Sequence, residues 1–191
     1  MPLTPADLPE GPCRQIMDIW CDLRGQDPIP LADRLRIDSL PLSLLPKLAL
    51  VTEAATPSPI IAFCGAEAAM FLGAEPTGRP LLDFVPPEKH AFTLALYAAM
   101  AADPSPLMLW DEMGTGEDVL LNVMRLLLPF VRPDGGLDRL LALVFHQPTG
   151  SGLARRSRIV PSGLSVLRRQ GERIAVPPPP VRTDILPDGR P

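Results

Sequence analysis

Two histidines and three cysteines are the residues of this chain best suited to chemistry. A histidine can act as a general base or as an axial ligand of haem. However, His90 falls in the first turn of a predicted helix and His146 ends a predicted strand, where contact with solvent is the simpler interpretation. Cys64 has no basic neighbour in sequence to stabilise a thiolate, so we expect an inert, buried thiol. Cys13 and Cys21 are eight residues apart, which does not suit two metal ligands on one helix face.

Acidic residues surround the segment Gly114-Thr115-Gly116 and form a second group to consider. They are Asp111, Glu112, Glu117 and Asp118. Carboxylates in a loop can attract a cation, but a solvated loop is the simpler interpretation. The glycines lack the following helix of a phosphate-binding loop. We therefore predict no catalytic centre, no metal site and no cofactor. The alternative is a small haem- or flavin-binding redox protein or enzyme, which would absorb visible light.

The composition predicts one folded domain followed by a chemically distinct tail. The 191 residues are 46% hydrophobic and 21% charged, values typical of a chain that buries a core. The net charge of −4 is unevenly distributed, because 10 Lys/Arg and 19 Asp/Glu precede Pro148 while 8 and 3 occur from Pro148 onward. An acidic body argues against binding to nucleic acid, except through the basic tail.

Cysteine usage and hydropathy together favour a cytoplasmic location. An odd number of cysteines predicts no disulfide framework. The N-terminal segment has prolines and acidic residues where a signal peptide needs a basic start and an apolar run. The apolar stretches over 40–51 and 119–131 are too short to span a bilayer. We expect no membrane insertion.

Proline and glycine divide the chain into short elements. Apolar residues at intervals of three and four predict an amphipathic helix over 12–24, and Pro86 and Pro87 favour the start of a second helix over 86–100. Strands are predicted over 46–53, 60–65 and 107–113, and a β-hairpin over 119–131 and 137–146 around a turn at 133–136. The predicted organisation is an N-terminal arm over 1–11, a globular domain over 12–147 that begins with the helix, and a mostly disordered, basic, Pro-rich tail over 148–191. A short helix over 162–174 is an alternative within the tail.

Several short motifs occur in the order in which one protein family has them. They are Ile19-Trp20-Cys21-Asp22-Leu23-Arg24-Gly25, Pro30, Ile37-Asp38 with Pro41, Leu44-Leu45-Pro46, Leu72-Gly73-Ala74-Glu75-Pro76-Thr77-Gly78-Arg79-Pro80-Leu81, Leu128-Pro129 and Asp134-Gly135-Gly136. With this order of elements, residues 14–147 resemble the PAS domains of small alphaproteobacterial proteins of largely unknown function. The resemblance implies an α+β fold with a PAS-like five-stranded antiparallel sheet, helices on one face and a small core cavity. It also implies a sensory or interaction role, usually without catalysis.

In such a fold, a small apolar ligand would lie between the helix over 86–100 and the last three strands. The side chains expected to line this pocket are Phe63, Thr93, Tyr97, Trp110, Asn122, Met124 and Phe145. The alternative is that these residues fill a closed core. Asn122 is the most informative of them, because a lone amide in an apolar strand either binds the backbone or meets a ligand.

The first helix needs cover for its apolar stripe of Ile16, Trp20 and Leu23, because an isolated helix of this length is marginal in water. The stripe can dock on the chain's own sheet or on that of a second copy, and from it we predict a homodimer. The leading interpretation is therefore a cytoplasmic sensory or regulatory module that signals through contacts with an unidentified protein partner. The remaining alternative is an adaptor whose basic tail binds nucleic acid or an anionic membrane.

Overall fold

The computed structural model describes residues 3–70, 72, 75–115, 118–148 and 165–179, which form an α+β fold around a single antiparallel sheet. The strands are β1 (Leu48–Thr52), β2 (Ile60–Cys64), β3 (Leu107–Thr115), β4 (Asp118–Val131), β5 (Leu137–Pro148) and β6 (Ser165–Arg173), and the α-helices are α1 (Pro12–Arg24), α2 (Ala66–Ala69) and α3 (His90–Ala102). Across the sheet the strands run in the order β2-β1-β5-β4-β3-β6, and every neighbouring pair is antiparallel.

The β4–β5 hairpin forms the centre of the sheet and confirms the prediction from its turn sequence. The turn is stabilised by Asp134, whose Oδ1 accepts a hydrogen bond of 2.9 Å from the backbone N–H of Gly136. Gly135 has φ of 84°, a conformation that glycine adopts without steric cost. The two strands on either side of the turn pair over eleven positions, from Leu121↔Pro148 to Val131↔Leu137. This long hairpin is the frame on which the other strands add.

Both faces of the sheet are covered, each by a different helix. We call the side under α1 the α1 face and the side under α3 the α3 face. The buried core of the α1 face includes Ile16, Met17, Trp20, Leu48, Met108, Leu126, Leu128, Phe130, Leu141 and Leu143, and that of the α3 face includes Val51, Tyr97, Met100, Leu107, Leu109, Leu127, Leu137 and Leu140. Successive strand residues point to opposite faces. A strand with two covered faces is therefore apolar at most positions of both faces, as the central part of the hairpin is.

Both predicted helices form, with one difference at the start of the second. The first runs over Pro12–Arg24 as predicted and is followed by Gly25 with φ of 59°. The second begins at His90, because Pro87–Lys89 forms a separate 3₁₀ turn. The Nε2 atom of His90 lies 2.8 Å from the backbone carbonyl of Val85. The imidazole of His90 therefore contacts the backbone just before this turn. The sequence had predicted a solvated side chain.

The prediction of five strands and a mostly disordered tail is wrong for residues 165–179. This segment forms β6, which pairs with β3 in a register that places Arg169 opposite Asp111. It is neither disordered nor the alternative helix over 162–174. The prediction of disorder rested on the few apolar side chains of the tail. A sheet edge, however, offers backbone donors and acceptors to a strand of almost any composition. The other parts of the tail, over 149–164 and 180–191, lie outside the described residues.

The two terminal segments are tied to each other beside this added strand. Ile174 is 2% exposed and packs on the α1 face, and its N–H donates to the carbonyl of Pro106 at 2.8 Å. The N–H of Ala175 donates to the carbonyl of Leu3 at 2.7 Å. In the predicted N-terminal arm, Leu8 is 3% exposed and belongs to the same core. The described part of the arm is thus packed against the domain.

Candidate functional site

Three charged side chains meet beneath α3, in a part of the molecule that is otherwise apolar. We call Asp111, Arg125 and Arg169 the arginine cluster. The side chain of Asp111 is fully buried, and its Oδ1 and Oδ2 accept hydrogen bonds from Nε and Nη2 of Arg169 at 2.5 and 3.1 Å. Its Oδ2 also contacts Nη2 of Arg125. One carboxylate therefore serves two guanidinium groups.

The register of three strands brings these residues together. Leu107 and Leu109 of β3 belong to the α3 face, so by alternation Asp111 points the same way. In β4, Arg125 lies directly opposite Leu109, and in β6, Arg169 lies directly opposite Asp111. Residues directly opposite each other on antiparallel strands share a face. The cluster is thus assembled from β3, β4 and β6, and it needs β6 in place.

Arg125 has an unusual environment for a guanidinium. Burial and the nearby charge of Arg169 lower its pKa to about 10, so the group still carries its proton at neutral pH. Its side chain nevertheless keeps 30% of its surface accessible. The guanidinium is therefore desolvated by the surrounding core, while part of the side chain still reaches solvent. Its Nε is buried and finds no acceptor within the described part of the chain.

The apolar surroundings of the cluster also include hydrogen-bonding and aromatic side chains. Burial raises the pKa of Tyr97 to about 12, against a smaller opposite effect of Arg125. Burial and the charge of Arg125 lower the pKa of His146 to about 4, so its imidazole is neutral at pH 7. The guanidinium of Arg169 lies over the ring of Phe92, 5.1 Å from its centroid, and Phe92 itself is 53% exposed.

At neutral pH this arrangement offers more positive charge than negative, and it carries hydrogen-bond donors. The two arginines are charged donors, while Tyr97 keeps its proton because its pKa lies near 12. The only carboxylate among these residues, Asp111, is already bonded to both arginines. Such a site can bind an acceptor-rich or anionic group, and Arg is the side chain best suited to hold a carboxylate through two parallel bonds.

The seven residues predicted to line one pocket do not surround one. Phe63, Met124 and Phe145 pack with the core of the α1 face. Trp110 and Asn122 share that face by alternation with Met108 and Met124, and both are exposed. Thr93 and Tyr97 lie on α3, over the opposite face of the sheet. The correction has a simple cause: the sequence did not show which parity of each strand faces α3.

Asp111 and Arg125 are the residues that sequence reasoning missed. Asp111 was interpreted as part of a solvated acidic loop, but it is 1% exposed. A signal was present in the sequence, because Arg125 interrupts a long apolar strand that is buried on both faces. A charge in such a position requires a buried counter-charge. The sequence around Asp111 and Arg125 does not, however, indicate that Arg169 of β6 pairs with Asp111.

The apolar stripe of α1 is covered within the chain. Ile16 and Trp20 are each 1% exposed, and Nε1 of Trp20 donates to the carbonyl of Pro129 in β4 at 2.9 Å. Leu23 is half-buried and packs against the same core. The assignment of these side chains to an interface between copies is therefore corrected: they dock on the chain's own sheet. The homodimer no longer follows from them and stays a prediction.

The cysteines show no sign of activated thiols. Burial raises the pKa of Cys13 and of Cys64 to about 11, and the charge of Glu75 adds to the effect at Cys64. Among the described residues, no group of three or more His, Cys, Asp or Glu is placed to hold a metal ion. No helix in the described segments is long and apolar enough to cross a membrane.

Comparisons with known proteins assign this chain to no family. No family model and no curated protein matches the sequence. Among solved structures, the chain is similar to the Vibrio cholerae VqmA dimer in the absence of target DNA, a structure reported in connection with DNA binding by LuxR-type receptors. The identity is 12% and the TM-score 0.40, and the match covers 69% of this chain and 60% of that chain. A likeness this weak establishes neither a shared fold family nor a shared function.

Proposed function

We propose that the chain is a PAS-type sensory or regulatory module that binds a small molecule under α3 and signals through protein contacts. The observation that carries the proposal is the partly accessible arginine cluster beneath α3, opposite a face filled with apolar side chains. Charged groups in a core cost stability, so a site that keeps one accessible is better explained by binding than by packing. The antiparallel sheet with a long helix across one face agrees with the resemblance noted in the sequence.

The route from ligand to protein contact starts at α3. Phe92 lies on this helix, is 53% exposed, and carries the guanidinium of Arg169 over its ring. A molecule bound at the arginine cluster changes the position or the electrostatic environment of that guanidinium. An exposed aromatic side chain whose environment depends on the ligand can present a different surface to a partner protein, or to a second copy of the chain.

The competing functions have less support. The basic tail was the reason to consider binding to nucleic acid or anionic membranes, but two of its arginines are used inside the domain. Arg169 binds Asp111, and Arg173 donates to the backbone carbonyls of Asp103 and Ala99 at 2.5 and 3.0 Å. For a haem- or flavin-binding redox protein, visible absorbance of the purified chain would be the required sign.

Native mass spectrometry of the full chain, purified without denaturation, tests the proposal. We expect a small molecule that is released on denaturation. We also expect its removal to change the sedimentation coefficient of the chain, alone or with a partner. Absence of any adduct, together with a sedimentation coefficient that does not respond to a small-molecule extract of the cells, would overturn the proposal. Turnover of a substrate by the chain would overturn it as well.

A further inference from the structure

We infer that the outer edge of β6 is an interface at which two copies of the chain pair their β6 strands antiparallel. β6 is the last strand at one end of the sheet, and within the described residues β3 is the strand that pairs with it. The inference rests on the proposed function in one respect, that protein contacts carry the signal. It goes further by naming the surface and the partner, a second copy of the chain.

The first argument is the backbone of β6. The N–H of Ile174 faces β3 and donates to the carbonyl of Pro106, whereas the N–H of Ala175 faces the opposite way and donates to the carbonyl of Leu3. Because backbone groups alternate between the two edges of a strand, every second residue of β6 directs its N–H and C=O outward. These residues are Arg169, Gly171 and Arg173. The bridge between Leu3 and Ile174 shows that this edge accepts a further chain segment.

The second argument is that charged side chains of β6 do not guard this edge. Charges on an edge strand commonly keep it from pairing with another molecule. Here they are engaged within the chain, since Arg169 binds the carboxylate of the arginine cluster and Arg173 donates to a carbonyl near the end of α3. Glu172 accepts a hydrogen bond of 3.0 Å from the N–H of Leu3. The edge is therefore left open to a second strand.

The third argument is exposed apolar surface on both sides of the edge. Large apolar side chains that are exposed in the described part of the chain are Leu42, Met70, Phe92 and Trp110. Two of them flank β6. Trp110 lies directly opposite Gln170 on the α1 face, and the ring of Phe92 lies over the guanidinium of Arg169 on the α3 face. Exposed apolar groups beside an open strand edge favour a protein contact there, and a second β6 strand would lie next to both.

The length of the regular edge limits the register of such a pair. The pairing of β6 with β3 becomes irregular before Arg168, and Leu3 occupies the edge beyond Arg173. A twofold axis relates two copies that pair through the same strand, so each register is centred on one residue. Within these limits, the longest pairings are centred on Gln170 or on Gly171.

Charge selects the register centred on Gln170. A centre at Gly171 sets Arg169 opposite Arg173 of the second copy, and this repulsion occurs twice. A centre at Gln170 sets position 168, an arginine, opposite Glu172 twice, and opposite charges that face each other on neighbouring strands are stabilising. Gln170 is exposed and meets its own copy on the axis, where an amide can both donate and accept a hydrogen bond.

Charge-reversed variants of the full chain test the interface by sedimentation velocity. We expect the wild type to dimerise with a Kd of about 1–100 µM, as suits a small interface. Arg168→Glu and Glu172→Arg each set like charges opposite each other, so each should weaken self-association about tenfold. An equimolar mixture of the two variants restores both opposite-charge pairs and should form a heterodimer about as tight as the wild-type dimer.

The matched control is Arg36→Glu, which reverses a charge on a side chain that is 70% exposed and should leave association unchanged. A wild-type chain that stays monomeric at about 200 µM, above the expected Kd, would overturn the inference. A mixture that associates no better than the separate variants, although circular dichroism shows both to be folded, would overturn it as well.

A cysteine on the axis tests the register independently of charge. Gln170→Cys sets two thiols opposite each other in a non-hydrogen-bonded pair, whose Cα atoms lie about 4.5 Å apart, within the range of a disulfide. We expect mild oxidation to give a covalent dimer of Gln170→Cys much faster than of the wild type or of Arg36→Cys. Equal rates for the three proteins would contradict the pairing of β6 with its copy.

The outcomes separate the inference from the proposed function. If the chain dimerises through β6 but neither binds a small molecule nor responds to one, the interface stands and the sensory role fails. If the chain is monomeric, and a bound small molecule changes its contact with another protein, the sensory role stands and the β6 interface fails.

Discussion

The two faces of the sheet are covered by helices of the same length but are built from different chemistry. Under α1, large apolar side chains such as Trp20 and Phe130 are buried to 1% exposure or less. Under α3, Asp111 and its two arginines interrupt an apolar core. The α1 face is thus closed by large apolar side chains, whereas the α3 face combines an apolar core with charged, partly accessible groups. The C-terminal segment connects the two, since Arg169 of β6 points to the α3 face and Ile174, directly after β6, packs on the α1 face.

The largest effect should come from removing a side chain of the α1 face. Trp20→Ala leaves a large cavity and deletes the hydrogen bond to the carbonyl of Pro129, so we expect the free energy of unfolding to fall by about 3–5 kcal/mol. Urea unfolding followed by circular dichroism measures it. Leu42→Ala is the matched surface control, because Leu42 is 83% exposed, and it should change the value by less than about 0.5 kcal/mol. A loss below about 1 kcal/mol for Trp20→Ala would show that α1 does not hold this face.

On the α3 face, Asp111→Ala should cost about 3 kcal/mol, because it leaves two guanidinium groups without their shared carboxylate. Much of that loss comes from repulsion and unpaired charge. Adding Arg125→Gln to Asp111→Ala should therefore restore part of the stability. Equilibrium unfolding of both single variants and of the double variant gives the coupling. Additive losses would contradict the description of these residues as one cluster.

The contribution of the tail is tested by Ile174→Ala. This side chain is 2% exposed on the α1 face, and its removal should lower the free energy of unfolding by about 2–3 kcal/mol. Val176, which is half-buried, provides a graded comparison, and Val176→Ala should cost less. Differential scanning calorimetry of the two variants resolves the difference. An unchanged Tm for Ile174→Ala would return residues 165–179 to the status of a tail without a structural role.

An effect that is absent at neutral pH is a pH dependence of the α3 face. The pKa of His146 is lowered to about 4 in the folded chain from an ordinary value near 6.5. The unfolded chain therefore binds a proton first as the pH falls. Stability from this group is fully present above about pH 6.5 and declines between about 6.5 and 4. His146→Gln should flatten this part of the stability profile relative to the wild type, as measured by Tm in a series of buffers. Superimposable slopes for the two proteins would show that His146 is not buried under α3.

Local sequence signals were sufficient wherever the structure depends on neighbouring residues. The interval of three and four in α1, the Asp134-Gly135 turn and the alternation of breakers with apolar runs each predicted an element that the structure contains. Capping, turn geometry and periodicity act over a few residues, so they can be read directly from the chain.

The candidate site depended on information that is not local. By itself, the sequence determined two helices and the first five strands, and that Arg125 lies inside an apolar strand. Only the tertiary structure decided that Asp111 faces α3, and that Arg169, 58 residues further along the chain, completes the cluster. Pairing between distant strands sets the register, and a shift of one residue moves every side chain to the opposite face. For this reason the predicted pocket residues were divided between two faces, while the charged residues of three strands came together under one helix.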